Sequence, residues 1–113
     1  MSKIIIAGWI EIPEEKRAEA LDLAKELFEP TRAQPGCVDY AWTADPHNLK
    51  RVYVYECWEN PENLESHLKG PWYKKMFETM NSFGLMGVDI SKFEISRQGG
   101  VYGPEGPTAV FFD

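Results

Sequence analysis

Two segments of this 113-residue chain are apolar on both sides of a predicted β-strand, and this feature constrains the fold most. Residues 3–11, KIIIAGWIE, and residues 51–58, RVYVYECW, alternate Ile or Val with Ala, Tyr or Trp, so neither alternating set is mainly polar. Successive side chains of a strand point to opposite faces of its sheet. Both faces of the sheet that contains these strands must therefore be covered.

A helix is predicted after the first strand. Pro13 followed by Glu14 and Glu15 is typical of a first helical turn, because proline fits there and acidic side chains complement the helix dipole. Apolar residues then recur at helical spacing up to Phe28. We expect Pro30 to end or kink this helix.

The next three elements are a hairpin and a second helical segment. Strands are predicted over residues 37–43 and 51–58, joined by the turn cluster ADPHNLK. Asn60-Pro61 predicts a helix start, and Gly70-Pro71 interrupts the helix that follows. A loop and a weaker fourth strand over residues 88–97 complete the order βαββαβ.

This order predicts a single α+β domain over residues 1–113 with a ferredoxin-like core at about 3–97. Its antiparallel sheet has both helices on one face. The other face, which is also apolar, would then be bare, and a large exposed apolar patch is typical of an interaction site. We therefore predict a homodimer in which two sheets meet, as in a dimeric α+β barrel.

The tail, residues 98–113, is rich in Gly and Pro until Val110, Phe111 and Phe112. Apolar side chains are costly to leave in water, at about 25 cal/mol per Å². We expect the end of the tail to dock on the barrel or on the partner subunit.

Charge and composition exclude several classes of function. The net charge of −6 disfavours nucleic acid and anionic membranes as partners, and no segment approaches the length of a membrane span. We expect a cytoplasmic location. Cys37, Cys57, His47 and His67 are too few and too scattered to predict a metal site. Aromatic residues make up 13% of the chain, more than a small core needs, which favours a ligand cavity or a subunit interface.

His67 is the main candidate for chemistry. It lies one residue before Leu68 and three after Leu64, so we predict a position at the margin of the buried helical stripe, near Trp58 and Trp72, in contact with both cavity and solvent. A histidine there is suited to act as a base, and the alternative is a boundary residue that only packs and hydrogen-bonds. Asp39 and Glu56 are further possible acids or bases, but both are expected to be edge or solvent charges. Other residues that can line the cavity are Tyr40, Met76 and Phe77.

The sequence resembles the antibiotic biosynthesis monooxygenase family of dimeric ferredoxin-like barrels over about residues 3–97. The resemblance is carried by PGCVDYAW at 35–42, VYVYECWENPENLESHL at 52–68, PWYKKMF at 71–77 and GLMG at 84–87. This family includes enzymes that oxidise phenols, quinols or polyketide anthrones with O₂ and without metal or flavin. It also includes heme-degrading enzymes.

The resemblance extends to individual positions. Trp58 matches a tryptophan implicated in the anthrone-oxidising members, whereas Val54 and Leu64 replace their Asn and Tyr. Phe77 stands where the heme-degrading members have their iron-ligating His. His67 stands where quinol-oxidising members also have a histidine.

The resemblance therefore implies a cofactor-independent monooxygenase acting on a small aromatic phenol, quinol or polyketide-like substrate, with His67 as the catalytic base. The residues expected to contact the substrate are Trp58, Trp72, Met76, Phe77, Leu64, Val54 and Tyr40. The alternative is a non-catalytic dimer that binds a small apolar ligand or serves in assembly, and heme degradation is a less favoured activity.

Overall fold

A computed structural model describes residues 2–111, and its order of elements confirms the predicted α+β fold. The main strands are β1 (Ile4–Glu11), β2 (Cys37–Ala44), β3 (Arg51–Trp58) and β4 (Gly87–Glu94). The helices are α1 (Arg17–Ala24), α2 (Phe28–Arg32), α3 (Pro61–Leu68) and α4 (Pro71–Ser82). Two short strands, β5 (Tyr102–Gly103) and β6 (Gly106–Pro107), form a hairpin in the tail.

The four main strands form one antiparallel sheet in the order β2-β3-β1-β4. The helices cover the face that carries Ile6, Ile10, Val52 and Val54, all of which are buried. Gly8 lies between Val54 and Ile90 on this face. Gly8 has a φ of +157°, and a Cβ atom built there would lie 2.0 Å from the carbonyl oxygen of Asp89, so this position in the sheet accepts only glycine.

The first helical segment differs in detail from the prediction. Pro30 does not end the helical region, because it lies inside α2. A turn of 3₁₀-helix at Lys25–Leu27 separates α1 from α2. Pro30 has no N–H to donate to the carbonyl of Glu26, which explains why the regular helix is interrupted just before it. At the other end of the chain, β4 stops at Glu94, three residues before the predicted end.

The opposite face of the sheet carries aromatic residues that remain accessible. Tyr53, Tyr55 and Phe93 are 42%, 39% and 53% exposed. The guanidinium of Arg51 lies 3.9 Å from the ring centroid of Trp9 on the same face. The structure thus has the two-faced apolar sheet that the sequence predicts, with helices on only one side.

The tail returns towards its own start. Phe111 packs on Gly99, and its carbonyl accepts a hydrogen bond from Arg97, yet half of its surface is exposed. Val110 is similarly exposed, at 49%. Phe112, which the sequence also assigns to this apolar cluster, lies outside the described residues.

We expect truncation after Gly106 to weaken the dimer by about tenfold. Removing Val110 and Phe111 deletes apolar area equivalent to about 1–2 kcal/mol if the partner covers it. Sedimentation equilibrium of the full-length and truncated chains measures the effect, with Glu105→Gln as a control that keeps the apolar end. An unchanged dimer constant would refute docking of the tail on the partner.

Candidate functional site

A cavity of about 240 Å³ lies between the sheet and α4. Its floor comes from the strands and its roof from α4. The residues of the floor include Ile6, Ile10, Val54 and Ile90, and those of the roof are Tyr73, Met76, Phe77 and Met80. The volume is slightly below the range of about 300–1,000 Å³ for drug-sized ligands, so it suits a small aromatic molecule.

Four of the residues predicted to contact a substrate line this cavity: Tyr40, Val54, Met76 and Phe77. Phe77 is 48% exposed and lies at the mouth, whereas the other three are buried. Trp58 and Leu64 are buried in a neighbouring cluster and do not line the cavity.

Trp72 lies elsewhere, beside Leu23, Leu27 and Pro30 in a surface groove next to the first helices. Each residue of a helix is rotated by about 100° from the previous one. Since Tyr73 faces the cavity, Trp72 points well away from it. The prediction that Trp72 lines the cavity is therefore wrong.

Glu56 supplies the one carboxyl group among the residues that line the cavity. The residue is only 6% exposed, and the indole N–H of Trp58 donates a hydrogen bond of 2.9 Å to its Oε1. The expectation that Glu56 is an edge or solvent charge is therefore wrong. Every second residue of a strand lies on the same face of the sheet, and Glu56 shares this spacing with the buried Val52, Val54 and Trp58. This spacing is the sequence signal that indicates the helix-covered face for Glu56.

His67 lies directly behind this carboxyl group. Its ring stacks on Trp58 with centroids 4.6 Å apart, and its Nδ1 lies 2.7 Å from Oε1 of Gln34. Because an amide oxygen can only accept, Nδ1 carries the proton and donates it. The other nitrogen, Nε2, lies 3.8 Å from Oε1 of Glu56 and has no hydrogen-bond partner among the described residues.

The predicted position of His67 at a solvent-accessible margin is wrong. His67 is 1% exposed and does not line the cavity, whereas Leu68 is 36% exposed and lines the cavity near its mouth. The buried face of α3 consists of Leu64 and His67, which are three residues apart, rather than Leu64 and Leu68. Gln34, the partner of His67, comes from the loop before β2, and no sequence signal indicates this contact.

Burial shifts both ionisable groups towards their neutral forms. It lowers the pKa of His67 from 6.5 to about 4, and it raises the pKa of Glu56, against the opposing effect of the hydrogen bond from Trp58. It also raises the pKa of Tyr40, and the nearby charge of Glu56 adds to this effect. At neutral pH the imidazole is therefore uncharged, and its Nε2 lone pair faces the carboxyl group.

The pKa of His67 predicts that the protein loses stability in acid. Between pH 6.5 and about 4 the unfolded chain binds a proton at this position and the folded chain does not. The contribution of neutral His67 to the free energy of unfolding is fully present above pH 6.5 and is lost as the pH falls towards 4. The loss is about 1.4 kcal/mol per pH unit and of the order of 3 kcal/mol in total. Glu56 acts with the opposite sign, because its raised pKa favours the folded state at low pH.

Urea unfolding of the parent and of His67→Gln at several pH values between 7 and 4.5 tests this prediction. Glutamine does not titrate, so the variant should lack the contribution of His67 and show a smaller loss of unfolding free energy. Equal losses in both proteins would contradict the assignment.

The family profile described as antibiotic biosynthesis monooxygenase matches residues 4–79, from the first strand to most of α4. The chain belongs to the antibiotic biosynthesis monooxygenase family. The match includes Glu56 and His67 and ends before the fourth strand and the tail.

Solved structures share this fold. A candidate antibiotic biosynthesis monooxygenase from Deinococcus radiodurans superposes with a TM-score of 0.80 at 20% identity, covering 88% of this chain and 99% of that one. Another from Caulobacter crescentus gives 0.78 at 18% identity, with 85% and 92% covered. A protein from Pseudomonas aeruginosa is 28% identical with a TM-score of 0.67, with 83% and 93% covered. Identities near 20% show the fold and not the activity.

One relative in sequence is an uncharacterized protein of Synechocystis sp., 29% identical over 94 residues. The alignment spans 83% of this chain but only 64% of that relative. In the part of the chain that the structure describes, no helix has the length and apolar character needed to cross a membrane, and no three His, Cys, Asp or Glu side chains cluster as metal ligands would.

Proposed function

We propose that this member of the family is a cofactor-independent monooxygenase that oxidises a small aromatic phenol or quinol with O₂. The observation that carries the proposal is the carboxyl group of Glu56 in a mainly apolar cavity, where it is the one carboxyl group among the described lining residues, with the neutral His67 behind it. We further propose that Glu56, rather than His67, takes the substrate proton, because Glu56 lines the cavity and His67 does not.

The first step is deprotonation of the bound hydroxyl by the carboxylate of Glu56. Burial raises the pKa of Glu56, and a base whose pKa is closer to the working pH accepts a proton more readily. Once protonated, the carboxyl group can donate a hydrogen bond to Nε2 of His67, which has no partner before this step. His67 therefore acts as a positioning residue that stabilises the protonated form of Glu56.

The aromatic anion then supplies the electrons for oxygen. One electron passes to O₂, and the resulting radical pair combines to form a ring peroxide anion, which takes the proton held by Glu56 and becomes a hydroperoxide. Loss of the C–H proton and cleavage of the O–O bond leave a carbonyl group and release water. Reduction of O₂ to one inserted oxygen atom and one water molecule takes four electrons. A quinol supplies all four, because it loses two when the oxygen atom is inserted and two when it is oxidised to the quinone. The apolar walls exclude water during these steps.

The alternative is a binding protein of the same fold. It is favoured by Val54 and Leu64, which are apolar where the anthrone-oxidising members that the sequence resembles carry polar residues. Such a protein would bind the same aromatic molecules without consuming oxygen.

An oxygen-electrode screen of chelator-treated protein against quinols, phenols and anthrones tests the proposal. We expect uptake of one O₂ per substrate, above the autoxidation of each compound alone, and mass spectrometry should show one added oxygen atom in a quinone product. Binding without uptake would support the alternative, and activity only after addition of iron, heme or flavin would contradict the cofactor-independent mechanism.

A further inference from the structure

We propose that Leu68 is a specificity-determining residue, which separates the cavity from a groove on the same face of the sheet and thereby excludes large fused-ring ligands. The substrate class of the parent protein is then a phenol or quinol with a small ring system. This inference rests on the proposed function only in taking the cavity as the ligand site.

Leu68 lies where the cavity and the groove meet. It lines the cavity of about 240 Å³, and it also lines a groove of about 410 Å³ between α3 and one end of the sheet. Among the described residues, Leu68 alone belongs to both linings. Its surface is 36% exposed, so the side chain forms a partition beside solvent and is not part of the packed core.

The groove continues the floor of the cavity along β1. Ile6 lines the cavity, and Ile4 lines the groove. The two residues are two positions apart on one strand, so their side chains lie on the same face of the sheet. Leu64, about one helical turn before Leu68, lines the groove on the side of α3. A ligand that extends past Leu68 therefore meets further apolar surface.

The edge strand β4 continues the same floor. Lys92 lies opposite Ile6 and Glu94 lies opposite Ile4, so both share the helix-covered face. Both line the groove and both are exposed, which leaves the groove open along this edge of the sheet. The cavity and the groove are thus two parts of one track, and Leu68 divides them.

A second groove beside Leu68 lacks such a floor. It has a volume of about 360 Å³, and its lining residues all come from α3, α4 and the turn between them. A ligand that extended into it would leave the sheet, on which the carboxyl group of Glu56 lies. The first groove is therefore the direction in which a larger ligand is expected to extend.

The size of Leu68 determines which ligands fit. Replacement by alanine removes the side chain beyond Cβ and joins the cavity to the groove. A further ring that enters the groove would bury on the order of 50–60 Å² of apolar area, which corresponds to about tenfold in affinity. Because Leu68 is partly exposed, the replacement should destabilise the fold less than the loss of a fully buried leucine does.

Equilibrium dialysis under nitrogen with two probes tests the inference. The probes are 1-naphthol and 9-phenanthrol, which carries one more fused ring. We expect the parent to bind 9-phenanthrol at least about tenfold more weakly than 1-naphthol. Leu68→Ala should tighten binding of 9-phenanthrol by about tenfold and leave 1-naphthol within about threefold. The control is Leu23→Ala, a replacement of another partly exposed helical leucine, which should alter neither affinity.

A second pair of variants tests the direction of the extension. Lys92 lines the first groove and Lys74 lines the second. In the Leu68→Ala protein, added bulk in Lys92→Trp should remove the gain for 9-phenanthrol, whereas Lys74→Trp should keep it. Melting curves of all variants show whether each one is folded.

Several results would overturn the inference. These are equal binding of both probes by the parent, no selective gain with Leu68→Ala, loss of the gain only with Lys74→Trp, and no binding of either probe to parent and variant. A selective gain without O₂ uptake on any substrate would support the inference while refuting the monooxygenase. Uptake by the parent without a selective gain in the variant would refute the inference alone.

Discussion

Glu56→Gln is expected to lower kcat/KM for oxygen-dependent turnover by about 10²–10⁴-fold, the usual contribution of a positioned base. The amide has nearly the same shape as the carboxyl group, and its oxygen can still accept the hydrogen bond from Trp58. It cannot accept the substrate proton. The melting temperature should therefore stay close to that of the parent while turnover falls.

The pH dependence provides an independent measurement of the same group. Turnover requires the carboxylate, so kcat/KM should rise with pH through the raised pKa of Glu56 and reach a plateau above it. His67→Gln should move this rise, because it changes the group that faces the carboxyl. Removal of a charged side chain that does not contact Glu56 should leave the pH at which kcat/KM rises unchanged.

Glu59→Gln is the matched control, since it makes the same chemical change at an exposed position three residues along the chain. It should retain full activity. If Glu56→Gln keeps the parent's turnover while His67→Gln abolishes it, the base is His67, as the sequence first suggested. If both variants remain active, neither residue takes the proton.

The sequence predicts most of the fold because the strands carry strong local patterns. The strand at 51–58 agrees with the structure at both ends, and its pairing in a hairpin with β2 follows from the short connection between them. Asn60 caps α3 through a 2.8 Å hydrogen bond from the N–H of Asn63, as its position before Pro61 predicts. These features depend on neighbours close in sequence.

The candidate site is less predictable because its contacts are distant in sequence. Gln34 and His67 are 33 residues apart, and nothing in either segment indicates that they meet. Leu68 and His67 are adjacent on a helix of only two turns, so hydrophobicity alone favoured Leu68 as the buried residue. Tertiary packing decided otherwise, and His67 is buried instead. Glu56 is difficult to place for a related reason, because its charge favours an exposed position whereas its alternation with apolar neighbours favours the buried face.

The burial of His67 determines what His67→Ala would do. A histidine at a margin would contribute little packing, and its removal would affect turnover alone. In the structure the ring is fully buried, stacks on Trp58 and bonds Gln34, so its removal also leaves a cavity and an unpaired amide. Glutamine is therefore the better substitution for separating chemistry from folding.

The uncovered face of the sheet leads to the second large effect, on assembly. Tyr55 lies near its centre, paired with Ala7 on β1 and Ala41 on β2, and Tyr53 and Phe93 are exposed on the same face. The small neighbours give this face a shallow centre that a second sheet can approach. We expect a homodimer at micromolar concentration, with an interface well above about 1,000 Å².

Tyr55→Asp should convert this dimer into a monomer. In a two-fold symmetric interface the substitution places two carboxylates in the contact, and each buried charge costs several kcal/mol. The dimer should weaken by at least about a thousandfold, which sedimentation velocity over a concentration series can measure. Leu23→Asp is the control, because Leu23 is 47% exposed and lies on α1, in the helical layer. A parent that is monomeric at micromolar concentration, or a Tyr55→Asp variant that dimerises as tightly as Leu23→Asp, would show that the sheet face is not the interface.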